Sequence, residues 1–260
     1  MKAKKSYGQH FLTSEVISER IANSLSLTAT YNDVLEVGPG QGMLTKYLLE
    51  KPYNLKVVEA DRDMVAHLNA HYPQLSPNII SEDFMKLRLE EVMGQNFAII
   101  GNYPYNISSQ IVFKMLECRQ FVPEMVGMFQ KEMAERIVAP PGNKTYGVIS
   151  VLTQAFYDGK LLFNVKPGSF NPPPRVMSAV IRLTRKPDYE TLGCDHKLFK
   201  TIVKLTFGQR RKMLRNTMKS LIKDSEVLEM PIFKERPEQL SVQDFVGLAN
   251  LVEKLRREAE

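Results

Sequence analysis

The first two thirds of the chain alternate short apolar runs with amphipathic segments of helical period. Strands are predicted at residues 34–37, 55–59, 78–80, 97–100, 125–129, 161–165 and 177–184, and helices at residues 43–50, 62–71 and 108–117. Strands that alternate with helices predict an α/β fold with a mostly parallel sheet covered on both faces. Ligands of such sheets bind at the carboxyl ends of the strands, so the residues that follow each strand are the candidate site.

The last part of the chain lacks strand-like runs. After Lys186-Pro187-Asp188 the apolar spacing predicts three amphipathic helices, at residues 196–207, 210–223 and 242–257. We therefore expect an α/β domain over residues 1–187 and a small all-α domain over residues 188–260. The chain has 260 residues, which is long enough for a main domain and a smaller second one.

Positive charge is concentrated in the predicted helical domain. The net charge of the whole chain is +6, yet residues 197–223 hold nine Lys and Arg residues and no Asp or Glu, so the rest is net negative. Such a basic segment is typical of a polyanion site, whereas solvated helix faces usually mix signs. The helical spacing predicts a phosphate-binding stripe. Its members are Lys200, Lys204, Arg211, Arg215, Lys219 and Lys223.

Composition argues against several other classes. Cys118 and Cys194 give no disulfide framework or zinc spacing, and the pair His67 and His71 lacks a nearby third ligand, so we expect no metal. No apolar run approaches membrane-spanning length, and residues 6–10 are too polar for the core of a signal peptide. We expect a cytoplasmic monomer with no membrane partner.

Three predicted strands end in residues that suit a nucleoside-like ligand. The turn at residues 38–42, Gly-Pro-Gly-Gln-Gly, permits close approach to the backbone, and Met43 in place of glycine disfavours a dinucleotide site. Glu59 can accept both hydroxyls of a ribose, and Asp83, with Phe84 beside it, can accept from an adenine amine. The structural alternatives are a plain strand-to-helix turn, a solvated strand-end charge and a helix N-cap, respectively.

The fourth strand ends in Asn102-Tyr103-Pro104-Tyr105, which joins an amide, a proline and two aromatic rings. The oxygen of Asn102 and the backbone carbonyl of Pro104 can accept the two hydrogens of an exocyclic amine, and the ring of Tyr105 can stack on a base. Taken alone, the tetrapeptide could equally be a strand-ending turn with a packed tyrosine. Its place after a glycine turn, Glu59 and Asp83 favours a site.

Longer motifs extend this pattern to both ends of the chain. They are Gly8-Gln9-His10-Phe11-Leu12, Asn102-Tyr103-Pro104-Tyr105-Asn106-Ile107-Ser108, Ser169-Phe170-Asn171-Pro172-Pro173-Pro174-Arg175-Val176 and the basic run Phe207-Gly208-Gln209-Arg210-Arg211-Lys212. Together they resemble the ribosomal RNA adenine dimethyltransferases, and most of all the bacterial small-subunit enzymes. The resemblance covers nearly the whole chain. Tyr103 departs from it, because the family usually has an aliphatic residue there.

The resemblance implies a Rossmann-like methyltransferase domain that binds S-adenosylmethionine and a helical domain that binds RNA. The cofactor residues it implies are His10, Leu12, Gly38, Gly40, Glu59, Asp83 and Asn102. The residues it implies at the target base are Asn102, Pro104, Tyr105 and Phe170, the last two stacking on a flipped base. Ordinary core packing is the alternative for both rings.

The implied reaction is N6,N6-dimethylation of two adjacent adenosines near the 3′ end of 16S rRNA in the small ribosomal subunit, with a role in subunit maturation. A DNA or protein-amide methyltransferase could use a similar tetrapeptide, but the basic helical tail argues for structured RNA. A large-subunit rRNA methyltransferase is a closer alternative. The alternative from another class is a ribosome-assembly factor that acts mainly by binding RNA.

Overall fold

The computed structural model describes residues 10–258. The N-terminal lysines and the Gly8-Gln9 part of the first motif lie outside the described residues. The described chain forms two units, the first of residues 10–134 and 158–185 and the second of residues 135–157 and 186–258. The domain boundary drawn at residue 187 stays a prediction. The observed second unit differs from it by including residues 135–157.

A seven-stranded sheet forms the centre of the first unit, with strand order β4-β3-β2-β5-β6-β9-β7. The strands of the described chain are β1 (Phe11–Leu12), β2 (Asp33–Val37), β3 (Asn54–Val58), β4 (Ile79–Ile80), β5 (Phe97–Asn102), β6 (Glu124–Gln130), β7 (Tyr157–Val165), β8 (Phe170–Asn171) and β9 (Ser178–Arg185). Strands β2 to β6 pair in parallel, whereas β9 runs antiparallel to β6. Strands β1 and β8 form a separate antiparallel pair. The predicted α/β class with a mostly parallel sheet is confirmed.

The sheet brings the predicted strand ends together. The two central strands, β2 and β5, are buried along nearly their whole length, as their apolar sequences require of parallel strands covered on both faces. On one side of β2 lie β3 and then β4, and on its other side lie β5 and then β6. Such a reversal opens a crevice at the carboxyl ends of the strands. Gly38, Glu59 and Asn102 therefore meet at one edge.

The helices mostly follow the predicted periodicity. They are α1 (Glu15–Ala22), α2 (Thr45–Leu49), α3 (Arg62–His71), α4 (Leu89–Met93), α5 (Ser108–Glu117), α6 (Lys131–Val138), α7 (Val148–Gln154), α8 (His196–Gly208), α9 (Leu214–Thr217) and α10 (Val242–Glu258). In the second unit every regular element is a helix, apart from the first residue of β7. No helix within residues 10–258 has the length and apolarity needed to cross a bilayer.

The prediction of one helix over residues 210–223 is wrong. Only α9 forms there, followed by one 3-10 turn at Met218–Ser220. The backbone N–H of Leu214 donates to the carbonyl of Glu235 at 2.9 Å instead of to a preceding helical turn. The apolar residues at helical spacing are buried as expected. The hydrogen bond from Leu214 to the distant Glu235 takes the place of the first turn of the predicted helix. The predicted stripe along one helix is therefore also wrong.

Candidate active site at the carboxyl edge of the sheet

A cavity of about 280 Å³ lies at the carboxyl edge of the sheet, within the first unit. The structure brings nine of the predicted site residues to its wall, namely His10, Leu12, Gly38, Gly40, Glu59, Asp83, Asn102, Pro104 and Tyr105. A cavity of this kind, apolar with a few convergent polar groups, is the usual form of a small-molecule site. The pattern of strand ends therefore located the cavity correctly.

The glycine turn after β2 contacts the carboxylate of Glu59. Gly38 and Gly40 have φ of +69° and +54°, a backbone conformation that residues with a Cβ rarely adopt. The N–H of Gly40 donates to Oε2 of Glu59 at 3.1 Å, and the N–H of Asp61 donates to Oε1 at 2.9 Å. Burial raises the pKa of Glu59, and the two backbone donors oppose that rise. The carboxylate is thus held in place with lone pairs left for a ligand's hydroxyls.

Glu36 adds a second buried carboxyl group to the cavity wall. It is the fourth residue of β2, only 1% exposed, and its Oε2 accepts from the hydroxyl of Thr45 at 2.7 Å. Burial raises its pKa to about 8, and the nearby Glu59 adds to the rise. An acid at this strand position suits a cationic or polar ligand, but its contact with Thr45 of α2 is one that no motif reveals.

Asn102 is the last residue of β5 and has an oriented side chain. Its Nδ2 donates to the backbone carbonyl of His10 at 3.1 Å. Because the amide nitrogen is committed in this way, Oδ1 is the acceptor that Asn102 offers to the cavity. The N-terminal segment, whose His10 and Leu12 are among the implied cofactor residues, therefore also orients the proposed acceptor.

His10 and Tyr105 form one side of the cavity. The ring centroids lie 5.3 Å apart, Nδ1 of His10 donates to the carbonyl of Pro172 at 2.9 Å, and the hydroxyl of Tyr105 bonds Ser178 Oγ at 2.6 Å. The carbonyl of Pro104 accepts from the N–H of Ile107 at 3.2 Å and retains a second lone pair. Tyr105 is half-buried and anchored at its hydroxyl, which leaves its ring as a fixed surface.

Asp83 occupies the N-cap position that was weighed as its alternative, and it also lines the cavity. It is the N-cap of a 3-10 turn at Phe84–Lys86, and its Oδ1 accepts from the N–H of Met85 at 2.9 Å. The cap fixes the carboxylate at the cavity wall, beside Phe84. Its second oxygen is the atom suited to accept from an adenine amine.

Phe170 is the one predicted site residue outside the cavity wall. It lies in β8 opposite Leu12 of β1, is 4% exposed and belongs to the main hydrophobic core. This is the packing alternative weighed for it from the sequence. A stacking role for Phe170 stays a prediction.

Tyr103, the departure from the family pattern, is accommodated by two glycines. Gly101 of β5 and Gly127 of β6 are cross-strand neighbours, and the buried ring of Tyr103 packs against both. A Cβ placed on Gly127 would lie 1.9 Å from Cε2 of that ring. The hydroxyl donates to the carbonyl of Val126 at 3.1 Å, and the ring meets Phe129 edge-on at 5.0 Å. The side chain of Tyr103, which is larger than the aliphatic residue usual in the family, is therefore fully accommodated in the core.

The basic segment, residues 197–223, lies in the second unit, and most of its cations are exposed. The exposed cations are Lys197, Lys200, Lys204, Arg211, Lys212, Lys219 and Lys223. Arg210 and Arg215 instead pair with Glu238 at 3.7 Å and Glu229 at 3.8 Å. Acidic residues from outside the segment thus reach two of the nine cations, which the sequence pattern could not show. The remaining seven keep the segment strongly positive.

Within the described residues, no cluster of three or more His, Cys, Asp or Glu side chains has the arrangement of a metal site. His67 and His71 are stacked at 3.9 Å on the exposed face of α3, and Nδ1 of His71 donates to the carbonyl of His67. The expectation of no metal rests on the sequence and stays a prediction.

Similarity to known proteins agrees with this geometry. The family model described as ribosomal RNA adenine dimethylase matches residues 1–254. The ribosomal RNA small subunit methyltransferase A of Flavobacterium johnsoniae is 55% identical over 97% of both chains. The protein of the same name from Parabacteroides distasonis is 52% identical over 98% of this chain and 95% of its own.

Two solved structures share the fold of this chain. A dimethyladenosine transferase from Plasmodium falciparum superimposes with a TM-score of 0.77 at 25% identity, covering 94% of this chain and 98% of its own. The 23S rRNA methyltransferase ErmE, at 24% identity, shares the fold with a TM-score of 0.68 over 92% of this chain and 99% of its own. From the family match over nearly its whole length, the chain belongs to the ribosomal RNA adenine dimethylase family and is an rRNA methyltransferase.

Proposed function

We propose that this enzyme uses S-adenosylmethionine to dimethylate the N6 amines of two adjacent adenosines near the 3′ end of 16S rRNA, within the small ribosomal subunit in the cytoplasm. The observation that carries the proposal is the amide of Asn102, which lines the same cavity as Glu59 and Asp83 and whose Nδ2 is bonded to His10, so that Oδ1 remains as its acceptor. The small-subunit relatives at 52–55% identity support the choice of RNA.

The cavity fits a sulfonium nucleoside. Glu59, held by two backbone N–H groups, would accept from the ribose hydroxyls, and Asp83 would accept from the adenine amine. The positive φ of Gly38 and Gly40 lets the backbone approach the ligand where a side chain would intrude. The carboxylates of Glu59 and Asp83 on the cavity wall would suit a cation better than a pyrophosphate. When bound, the cofactor supplies a methyl group on a positively charged sulfur, which makes the methyl carbon electrophilic.

Activation of the amine is then the task of the protein. The lone pair of an adenine amine is shared with the ring, which makes the nitrogen a poor nucleophile. Oδ1 of Asn102 and the carbonyl of Pro104 would accept its two hydrogens and draw the nitrogen toward tetrahedral geometry, where the lone pair is free. Tyr105 would stack on the flipped base and hold it in line. Positioning and fixed dipoles would therefore supply most of the acceleration.

Glu59→Gln tests the ribose contact. The amide keeps the size of the side chain but loses one acceptor oxygen and the charge that strengthens hydrogen bonds, so the Kd for S-adenosylhomocysteine should rise about tenfold. Isothermal titration calorimetry measures this. The exposed Glu117, on α5, gives the control variant Glu117→Gln, for which the Kd should be unchanged. Equal Kd values for Glu59→Gln and the wild type would contradict the assignment.

The salt dependence of RNA binding tests the basic segment. Phosphate contacts release counterions, so the logarithm of the affinity should fall linearly with the logarithm of salt concentration. Exposed Lys200 and Lys204 on α8 are four residues apart, and replacing both with Gln should reduce the slope by about 1 to 2. Lys160→Gln with Lys254→Gln removes two exposed charges outside the segment and should leave the slope unchanged. If the Lys200/Lys204 double variant keeps the wild-type slope, as the Lys160/Lys254 control should, docking through this segment is contradicted.

A further inference from the structure

Lys114 is a buried lysine that the proposed chemistry does not use. It lies in α5, the helix that begins three residues after Tyr105, and the residue is only 8% exposed. Its Nζ donates to the carbonyl of Met85 at 2.9 Å and to that of Leu87 at 2.5 Å. A lysine is almost never buried without such partners, because removing an ammonium from water is costly. The side chain is therefore committed to the loop that follows β4.

That loop forms the Asp83–Phe84 edge of the cavity. Asp83 caps the turn from one side through the N–H of Met85, while Lys114 binds the carbonyl of the same Met85 from the other side. The ammonium also lies 5.3 Å from the centroid of the Phe84 ring, within range of a cation–π contact. The carbonyls that receive Nζ belong to the turn and to its C-cap, Leu87. The side chain of Lys114 thus ties two carbonyls of the turn and its C-cap to α5, in addition to the hydrogen bonds within the turn.

The hydrogen bonds of Lys114 bear on the site because of where α5 lies in the chain. The helix follows the segment from Asn102 to Tyr105 with only two residues between, so Lys114 joins the adenine side of the cavity to the helix that directly follows the proposed target-base residues. Among the described lysines, Lys56 offers a useful contrast. Its Nζ also donates to a backbone carbonyl, that of Val92 at 2.6 Å, but neither residue lines the cavity.

We propose that Lys114 is a positioning residue that fixes the Asp83–Phe84 edge of the cavity against α5 and so sets affinity and selectivity for the adenine end of the cofactor. This rests on the proposed function, because it takes the occupant to be an adenosyl sulfonium. Lys114 touches neither cofactor nor base. It acts through the carbonyls of Met85 and Leu87, which hold the carboxylate of Asp83 and the ring of Phe84 in place.

The test measures binding of two ligands by calorimetry, S-adenosylhomocysteine and S-inosylhomocysteine, in which a carbonyl oxygen replaces the N6 amine. Wild-type protein should prefer the adenosyl ligand, since a carboxylate accepts from an amine and repels a carbonyl. In Lys114→Met the Kd for S-adenosylhomocysteine should rise about tenfold, and the preference over the inosyl ligand should shrink at least about fivefold. The rate of methyl transfer at saturating cofactor should stay within about threefold of wild type. Lys114→Arg, which keeps a charged donor, should recover most of the affinity.

Lys56→Met is the matched control, because it removes an ammonium bound to a backbone carbonyl in the same unit. It should leave both Kd values and the ligand preference unchanged. Lys114→Gln is measured alongside and should weaken binding in the same way, so the result does not depend on how well Lys114→Met folds. If Lys114 variants keep wild-type Kd and preference, or if Lys56→Met matches their losses, the positioning role is overturned. If wild-type protein binds neither ligand, the proposed function itself fails.

Discussion

Asn102→Ala should lower the rate constant of methyl transfer about 100- to 1,000-fold or more, while the Kd for S-adenosylhomocysteine changes by less than about threefold. The variant removes the acceptor that draws the adenine amine toward tetrahedral geometry, an interaction that strengthens as the nitrogen becomes nucleophilic. Loss of one preorganised polar group at a reacting centre commonly costs a factor of this size. Single-turnover transfer of labelled methyl groups to small-subunit RNA measures the rate constant, and calorimetry measures the Kd.

Asn69→Ala is the matched control for that variant. The amide nitrogen of Asn69 also donates to a backbone carbonyl, that of Val65 at 3.0 Å, but on the exposed surface of α3. Its methyl-transfer rate should equal that of wild type. An Asn102→Ala protein that retains transfer within about tenfold would contradict the role given to the amide. If that protein transfers no methyl groups yet still supports maturation of small subunits, RNA binding is the main activity in assembly.

Gly127→Ala should be the most destabilising single substitution near the site, lowering the free energy of unfolding by about 3 kcal/mol. The new Cβ would lie 1.9 Å from the ring of Tyr103, which is buried, hydrogen-bonded to Val126 and packed edge-on against Phe129. The ring is 1% exposed, and its neighbours in the chain are the site residues Asn102 and Pro104, so we expect its displacement to shift them. The methyl-transfer rate of the surviving folded protein should therefore fall as well. Urea denaturation measures the stability.

The pairing of Gly127 with Tyr103 is tested by a double-mutant cycle. Adding Tyr103→Leu to Gly127→Ala replaces the ring with the aliphatic side chain that the family pattern favours, and should recover about 1–3 kcal/mol. Gly168→Ala is the control, because a Cβ at that glycine meets no atom within 4 Å and its φ is not positive. It should leave stability within about 0.5 kcal/mol of wild type. Strictly additive effects of the two substitutions at 103 and 127 would contradict the proposed packing.

The sequence predicted the sheet and its carboxyl edge well because both depend on local patterns. Apolar runs define parallel strands, and the residues that follow them must meet at one edge. The placement of Asn102 and Glu59 at one cavity was therefore predictable from their positions after the strands. The orientation of Asn102 was not predictable, because it depends on the carbonyl of His10, 92 residues away.

The features that the sequence could not show lie where distant segments decide local structure. Leu214, Met218 and Ile222 repeat at helical spacing and are buried, yet the chain there is a short helix and a turn, because Leu214 bonds to Glu235. Phe170 stands in a motif but packs in the core opposite Leu12. Lys114 reads as an ordinary helix lysine, and its burial follows only from the path of the loop after β4. Each of these depends on tertiary contacts that periodicity does not encode.

The most direct test is to map methyl groups on RNA. Purified protein and labelled S-adenosylmethionine are incubated with undermethylated small subunits, with large subunits and with free 16S rRNA, and the labelled nucleosides are identified and located. We expect N6,N6-dimethyladenosine at two adjacent positions near the 3′ end of 16S rRNA and no label in large subunits. Label on large-subunit RNA, on another atom of adenine, or on no RNA at all would contradict the proposed function.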